Sequence, residues 1–99
     1  MYIHIGQEIS IHSDDIIGIF DLDTATVAKR TREFLERAEK NGDIFTIAED
    51  LPKSFIVCRA PWRKSKKIIY LSQISSTTLL HRAVGFNTQE ISRISAEKE

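Results

Sequence analysis

The stretch SFIVCRAPWRKSKKIIYL, Ser54 to Leu71, decides how this chain folds. Ser54-Phe55-Ile56-Val57-Cys58 and Lys67-Ile68-Ile69-Tyr70-Leu71 are short, mostly apolar runs, rich in β-branched and aromatic residues. Runs of that length and composition read as strands, not helices. Between them lie Pro61, Trp62, Arg63, Lys64, Ser65 and Lys66, and with the flanking Arg59 and Lys67 the segment combines five cations with one indole. Two strands joined by such a segment predict a β-hairpin with an extended basic tip.

Upstream of the hairpin, Tyr2-Ile3-His4-Ile5 is a short strand that Gly6 stops. Glu8 to His12 alternates with period two and puts Ile9 and Ile11 on one face. Ser13-Asp14-Asp15 reads as a turn. Ile16 to Asp21 reads as a third strand with apolar residues on both faces, hence central or covered on both sides. Asp23 or Thr24 is the expected N-cap of a helix from Thr24 to Lys40. Val27, Thr31, Phe34, Leu35 and Ala38 form its apolar stripe, Glu33–Arg37 and Glu36–Lys40 are spaced as ion pairs, and Asn41-Gly42 stops it. Ile44 to Ile47 is a short strand or extended connector, and Ala48 to Pro52 a loop.

Downstream, Ser75 or Ser76 caps a second, short helix through Val84, with Gly85 after it. Thr88 caps a third from Gln89 to Ser95, and the last residues, Ala96 to Glu99, fray. The expected fold is therefore α+β. It has a small, mostly antiparallel sheet of about five strands, one long helix and one or two short C-terminal helices. Ninety-nine residues support one domain, expected over residues 1–86, with 87–99 as a helical extension.

The formal net charge is zero, yet charge is sorted along the chain. From Leu51 to Gln89 there are Lys53, Arg59, Arg63, Lys64, Lys66, Lys67 and Arg82, and no acidic residue. From Met1 to Ala28 there are Glu8, Asp14, Asp15, Asp21 and Asp23, and no Lys or Arg. A segregated basic face attracts polyanions over a Debye length, about 8–10 Å at physiological salt. Nucleic acid is one such polyanion. The acidic end of a second copy is another.

Other chemistry is sparse. Hydrophobic content of 41% and charged content of 28% fit a soluble globular protein. A single cysteine, Cys58, cannot form an internal disulfide and suggests a reducing compartment. No apolar run approaches a membrane span and the N-terminus lacks a signal-peptide pattern, so a cytoplasmic protein without a membrane partner is expected. His4, His12 and His81 are scattered and share no metal spacing with Cys58, so no metal or other cofactor is expected. Asp14-Asp15 and Asp21-x-Asp23 suit turns and caps. No Gly-rich phosphate cradle and no nucleophile with its base is present, so the chain reads as neither an enzyme nor a binder of a small-molecule substrate.

The basic tip has two readings. Its cations can neutralise phosphates and release counterions, a β-ribbon can enter or straddle a groove, and Trp62 can stack or wedge. Alternatively the tip is a solvated turn whose charges keep an edge from aggregating.

The chain also resembles a known family, the small bacterial extracellular-matrix (biofilm) regulators of the RemA/RemB type, and the RemB branch more closely. The resemblance is carried by Met1-Tyr2-Ile3-His4-Ile5-Gly6, by Asp15-Ile16-Ile17-Gly18-Ile19-Phe20-Asp21 and by Glu33-Phe34-Leu35. It continues through Pro52-Lys53-Ser54-Phe55-Ile56-Val57 and Ile69-Tyr70-Leu71-Ser72, then Ile74-Ser75-Ser76-Thr77-Thr78-Leu79 and Arg82. It implies a DNA-binding regulator of matrix-gene transcription that works as a ring-shaped homo-oligomer. The RemA branch relies on arginines that fall near Asp15 and near Asp50-Leu51 here, so those roles do not transfer. Lys53 is the nearest basic survivor, and the hairpin tip has to substitute. The expected duplex-DNA contacts are Lys53, Arg59, Arg63, Lys64, Lys66 and Lys67, with Trp62 as a wedge or stack. The rival is a protein-interaction module whose basic strip docks an acidic partner or the neighbouring subunit.

Overall fold

The computed structural model describes residues 1–25, 28–48 and 50–83. Among these residues, six strands fall into two sheets. β1 (Tyr2–Gly6) and β2 (Ile9–His12) form an antiparallel pair. β3 (Ile16–Asp21), β4 (Ile44–Thr46), β5 (Ser54–Arg59) and β6 (Lys67–Ser72) form a second sheet in the order β3-β5-β6-β4. β3 and β6 run antiparallel to β5, whereas β4 runs parallel to β6. The helices are α1 (Leu22–Ala25), α2 (Lys29–Lys40) and α3 (Ser76–Ala83). The mostly antiparallel α+β fold expected from the sequence is the fold observed, with one long and one short C-terminal helix.

β5 lies at the centre because both of its faces are apolar. Ile56 and Cys58 point into one cluster with Ile3, Ile5, Ile11, Ile16, Ile19 and Leu79, beneath the β1–β2 pair and α3. Phe55 and Val57 point into the other, with Ile69, Ala38, Phe34 and Leu35, beneath α2. The alternation of successive strand residues thus places the sheet between two covering layers. β3 is covered on both sides as its sequence implies, with Ile19 in one cluster and Phe20 against the other, but it is an edge strand and not a central one.

The long helix is interrupted. Ala28 is extended (φ −78°, ψ 131°) and serves as the N-cap of α2 without a side-chain cap bond. The residue types before it, Thr24, Thr26 and Val27, are β-branched and poor at sustaining a helix. Thr26 and Val27, including the stripe position at Val27, lie outside the described residues. Neither Asp23 nor Thr24 caps α1. Asp21 accepts from the Thr24 amide at 3.1 Å and from its hydroxyl at 3.4 Å. On the wet face of α2, Lys29 approaches Glu33 at 3.8 Å. Ser75 caps α3, its hydroxyl accepting from the Thr78 amide at 3.2 Å. The expected extension of this helix to Val84, the third helix and the 87–99 extension lie outside the described residues.

Two buried serines join the layers. Ser54 Oγ donates to the Ile74 carbonyl at 2.7 Å. Ser72 Oγ donates to the Ile5 carbonyl and accepts from the Ile74 amide at 3.0 Å, so one hydroxyl links β6, β1 and the approach to α3. Ser72→Ala strands two polar backbone groups at a fully buried position. It is expected to cost about 2 kcal/mol, read as a lower urea midpoint with an unchanged m-value.

Candidate nucleic-acid interface

The basic segment between β5 and β6 begins at Ala60-Pro61-Trp62-Arg63. Proline favours the second position of a turn, and the Arg63 amide donates to the Ala60 carbonyl at 3.0 Å to close one. A second turn follows directly, closed by the Lys66 amide on the Arg63 carbonyl at 3.0 Å. The Ala60 amide then bonds the Lys66 carbonyl at 2.8 Å, with Lys66 in the left-handed region at φ 68°. The tip is thus a compact double turn and not an extended ribbon. Its seven loop residues fix where every side chain leaves the backbone.

Arg63 leaves it inward. α2 ends in a Schellman arrangement: Gly42 (φ 74°) and Asp43 donate their amides to the carbonyls of Glu39 and Ala38 at 3.1 and 2.9 Å. The position after the glycine commonly carries an apolar residue, but here it carries Asp43, whose side chain is 3% exposed. Arg63 Nε and Nη2 donate to Asp43 Oδ1 at 3.3 and 3.2 Å, and Nη2 donates to the Gly42 carbonyl at 2.7 Å. Its guanidinium also lies 5.4 Å from the centre of the Phe45 ring. Asp43 Oδ2 has no hydrogen-bond partner among the described residues. Arg63 therefore clamps the tip onto the C-terminus of α2.

The other expected contacts divide. Arg59 pairs with Asp15 at 3.2 Å and remains largely exposed. Lys67 is half-buried, its ammonium 5.7 Å from the centre of the Phe34 ring. Lys66 is exposed and donates to the Pro61 carbonyl at 3.2 Å. Lys64 and Trp62 are exposed. Among the described residues, no carboxylate pairs with Lys53, Lys64 or Lys66. Lys53 sits at the other end of β5. At the strand rise, its six residues put it about 20 Å from the tip. One protomer therefore gathers Arg59, Trp62, Lys64 and Lys66, holds Arg63 inward, lays Lys67 on α2 and leaves Lys53 apart.

The sequence reading missed Asp15 and Asp43 as partners of the tip arginines. A charged residue just past a helix-ending Asn-Gly was the available signal for Asp43. It also missed Tyr2, which is exposed and meets the His12 ring edge-on at 5.1 Å.

Cys58 lies beside this region but is chemically quiet. Burial, and behind it the negative charge of Asp15, pushes its thiol up to about 12 from 9.0. The thiol should resist alkylation by iodoacetamide at pH 8 in the native protein and react on unfolding. A folded-state value above the unfolded one favours the fold below pH 9. That contribution should be lost between about pH 9 and about 12, as the unfolded thiol ionises first. Burial also raises the Tyr70 phenol, with charge on Cys58 adding to the shift and Arg63 opposing it.

Exposed cations and the exposed Trp62 share one end of the central hairpin of this small α+β protein, with the exposed Tyr2 of β1 beside them. Among the described residues no three His, Cys, Asp or Glu side chains converge as a metal site, and no helix is long and apolar enough to cross a membrane. No family model matches the chain. The extracellular matrix regulatory protein B of Bacillus subtilis (strain 168) is 34% identical over 83 residues, covering 84% of this chain and 90% of that protein. The chain belongs to the extracellular matrix regulatory protein B family.

Proposed function

We propose that this chain is a cytoplasmic, DNA-binding regulator of extracellular-matrix (biofilm) gene transcription that acts as a ring-shaped homo-oligomer. The observation that carries the reading is the pair Lys64 and Lys66, exposed on a rigid tip and unmatched by carboxylates among the described residues. They contact duplex phosphates, with Arg59 joining them when it leaves Asp15. Trp62 packs against the duplex beside them. Arg63 acts by holding the tip in place. Lys67 supports the flank, and Lys53, one strand length away, meets a different stretch of backbone.

Assembly multiplies so small a patch. Among the described residues the sheet has open edges at β3 and β4, where Ile17 and Phe45 are each 43% exposed. A head-to-tail contact covers both edges at once and closes into a ring if the rotation permits. Each tip then adds its few phosphate contacts to those of its neighbours, raising avidity without new chemistry.

The second reading is a protein-interaction module without nucleic-acid binding. Arg59–Asp15 and Arg63–Asp43 favour it, because two of the tip's arginines already face carboxylates. A gel shift with duplex DNA at 50 and 200 mM salt, with mass determination of the free protein, separates the two. The three tip contacts alone, Arg59, Lys64 and Lys66, predict an affinity loss of about 40-fold across that range. An oligomer that never retards DNA at either salt supports the interaction module.

A further inference from the structure

Tyr2 and Trp62 are 72% and 74% exposed, yet they are not scattered surface residues. They line the same hollow of about 220 Å³, with His12, Asp15, Arg59 and Tyr70 among its walls. The two rings are far apart in sequence, one from β1 and one from the tip.

The Tyr2 ring and the Trp62 backbone are each held in place. The edge-on contact with His12, at 5.1 Å and 85°, orients the Tyr2 ring while leaving it wet. Trp62 occupies the third position of the proline turn, whose closing residue Arg63 is clamped to Gly42 and Asp43. Arg59 forms part of the wall, and Lys64 and Lys66 leave the same tip. Aromatic faces beside cations suit a ligand that is both planar and anionic. Nucleic acid bases on a phosphate backbone have that character, and every base has a face to stack. In a duplex those faces are hidden between neighbours, so only an unpaired base can enter a concave site.

We infer that the hollow between Tyr2 and Trp62 binds an unpaired nucleobase, so that the protein engages single-stranded or locally opened DNA as well as duplex. The inference rests on the nucleic-acid reading above and adds a base-stacking site to it. Backbone contacts from Lys64 and Lys66 bring the strand to the site, and the two rings hold one base.

Trp62 is the only tryptophan in the chain, so its fluorescence reports on the site directly. The full-length protein is titrated at low salt with end-labelled oligothymidylate and, separately, with an end-labelled duplex of equal length. Label anisotropy reads binding, and Trp62 emission reads stacking. Oligothymidylate is expected to bind and quench Trp62. Tyr2→Leu should weaken oligothymidylate roughly 5- to 150-fold, the range of one base–aromatic stack, with little effect on the duplex. Tyr2→Phe, which keeps the ring, should restore binding. Oligothymidylate that saturates the label without quenching Trp62 overturns the inference. So does Tyr2→Leu losing both ligands equally while melting normally. Duplex binding without oligothymidylate binding removes the stacking site and leaves the duplex reading intact. If neither ligand changes anisotropy, both readings fail, and the face belongs to a protein partner.

Discussion

Lys64→Glu together with Lys66→Glu is expected to abolish retention of duplex DNA at physiological salt and to leave the melting temperature unchanged. Both side chains are exposed, and among the described residues the one polar contact of either is Lys66 Nζ donating to the Pro61 carbonyl. Neither reversal therefore strands a buried group, and exposed substitutions of this kind stay within about 0.5 kcal/mol. The left-handed backbone at position 66 disfavours lysine and glutamate alike, so that strain cancels between the variants. The binding effect is large because each lost phosphate contact removes about 0.9 from the slope of log affinity against log salt, and each reversed charge adds repulsion. In an oligomer the loss recurs at every tip. A gel shift at two salt concentrations and a thermal melt on the same samples check this. Unchanged affinity in a normally melting double variant removes the tip from the DNA contact.

Arg63→Ala is expected to destabilise the fold by about 3 kcal/mol, because it leaves Asp43 charged and buried with neither carboxylate oxygen satisfied. For a domain of this size that lowers Tm by about 12–24 °C. Asp43→Ala should cost less, since the freed arginine can turn to water while the aspartate in Arg63→Ala cannot. Arg63→Lys should recover only part of the loss, because an ammonium cannot reproduce the fork that reaches Asp43 Oδ1 and the Gly42 carbonyl together. Differential scanning calorimetry of the three variants and the Arg63→Ala/Asp43→Ala double variant measures the coupling. A Tm for Arg63→Ala within a degree or two of the parent would show that the clamp does not hold the tip. This also sets a limit on reading charge reversal at Arg63, where lost binding and lost structure arrive together.

The hairpin and its two apolar strands were legible because strand signals there are local: apolar runs, a proline turn and a cationic stretch. The Asn41-Gly42 stop was legible for the same reason, since a left-handed residue at a helix end calls for glycine. The break at Ala28 was not. Apolar positions on both sides of it keep helical spacing, and periodicity does not register one extended residue. The parallel placement of β4 was equally hidden, because which edge a three-residue strand joins depends on where α2 delivers it.

By itself the sequence determined the class of fold, the central hairpin and the segregation of charge, all of which follow from neighbours a few residues apart. Only the tertiary structure decided which cations are free. Arg59 meets Asp15 across 44 residues and Arg63 meets Asp43 across 20. Tyr2 and Trp62 come together across most of the chain to line one hollow. Local pattern cannot foresee such partners, because they meet only after the sheet has aligned strands distant in sequence.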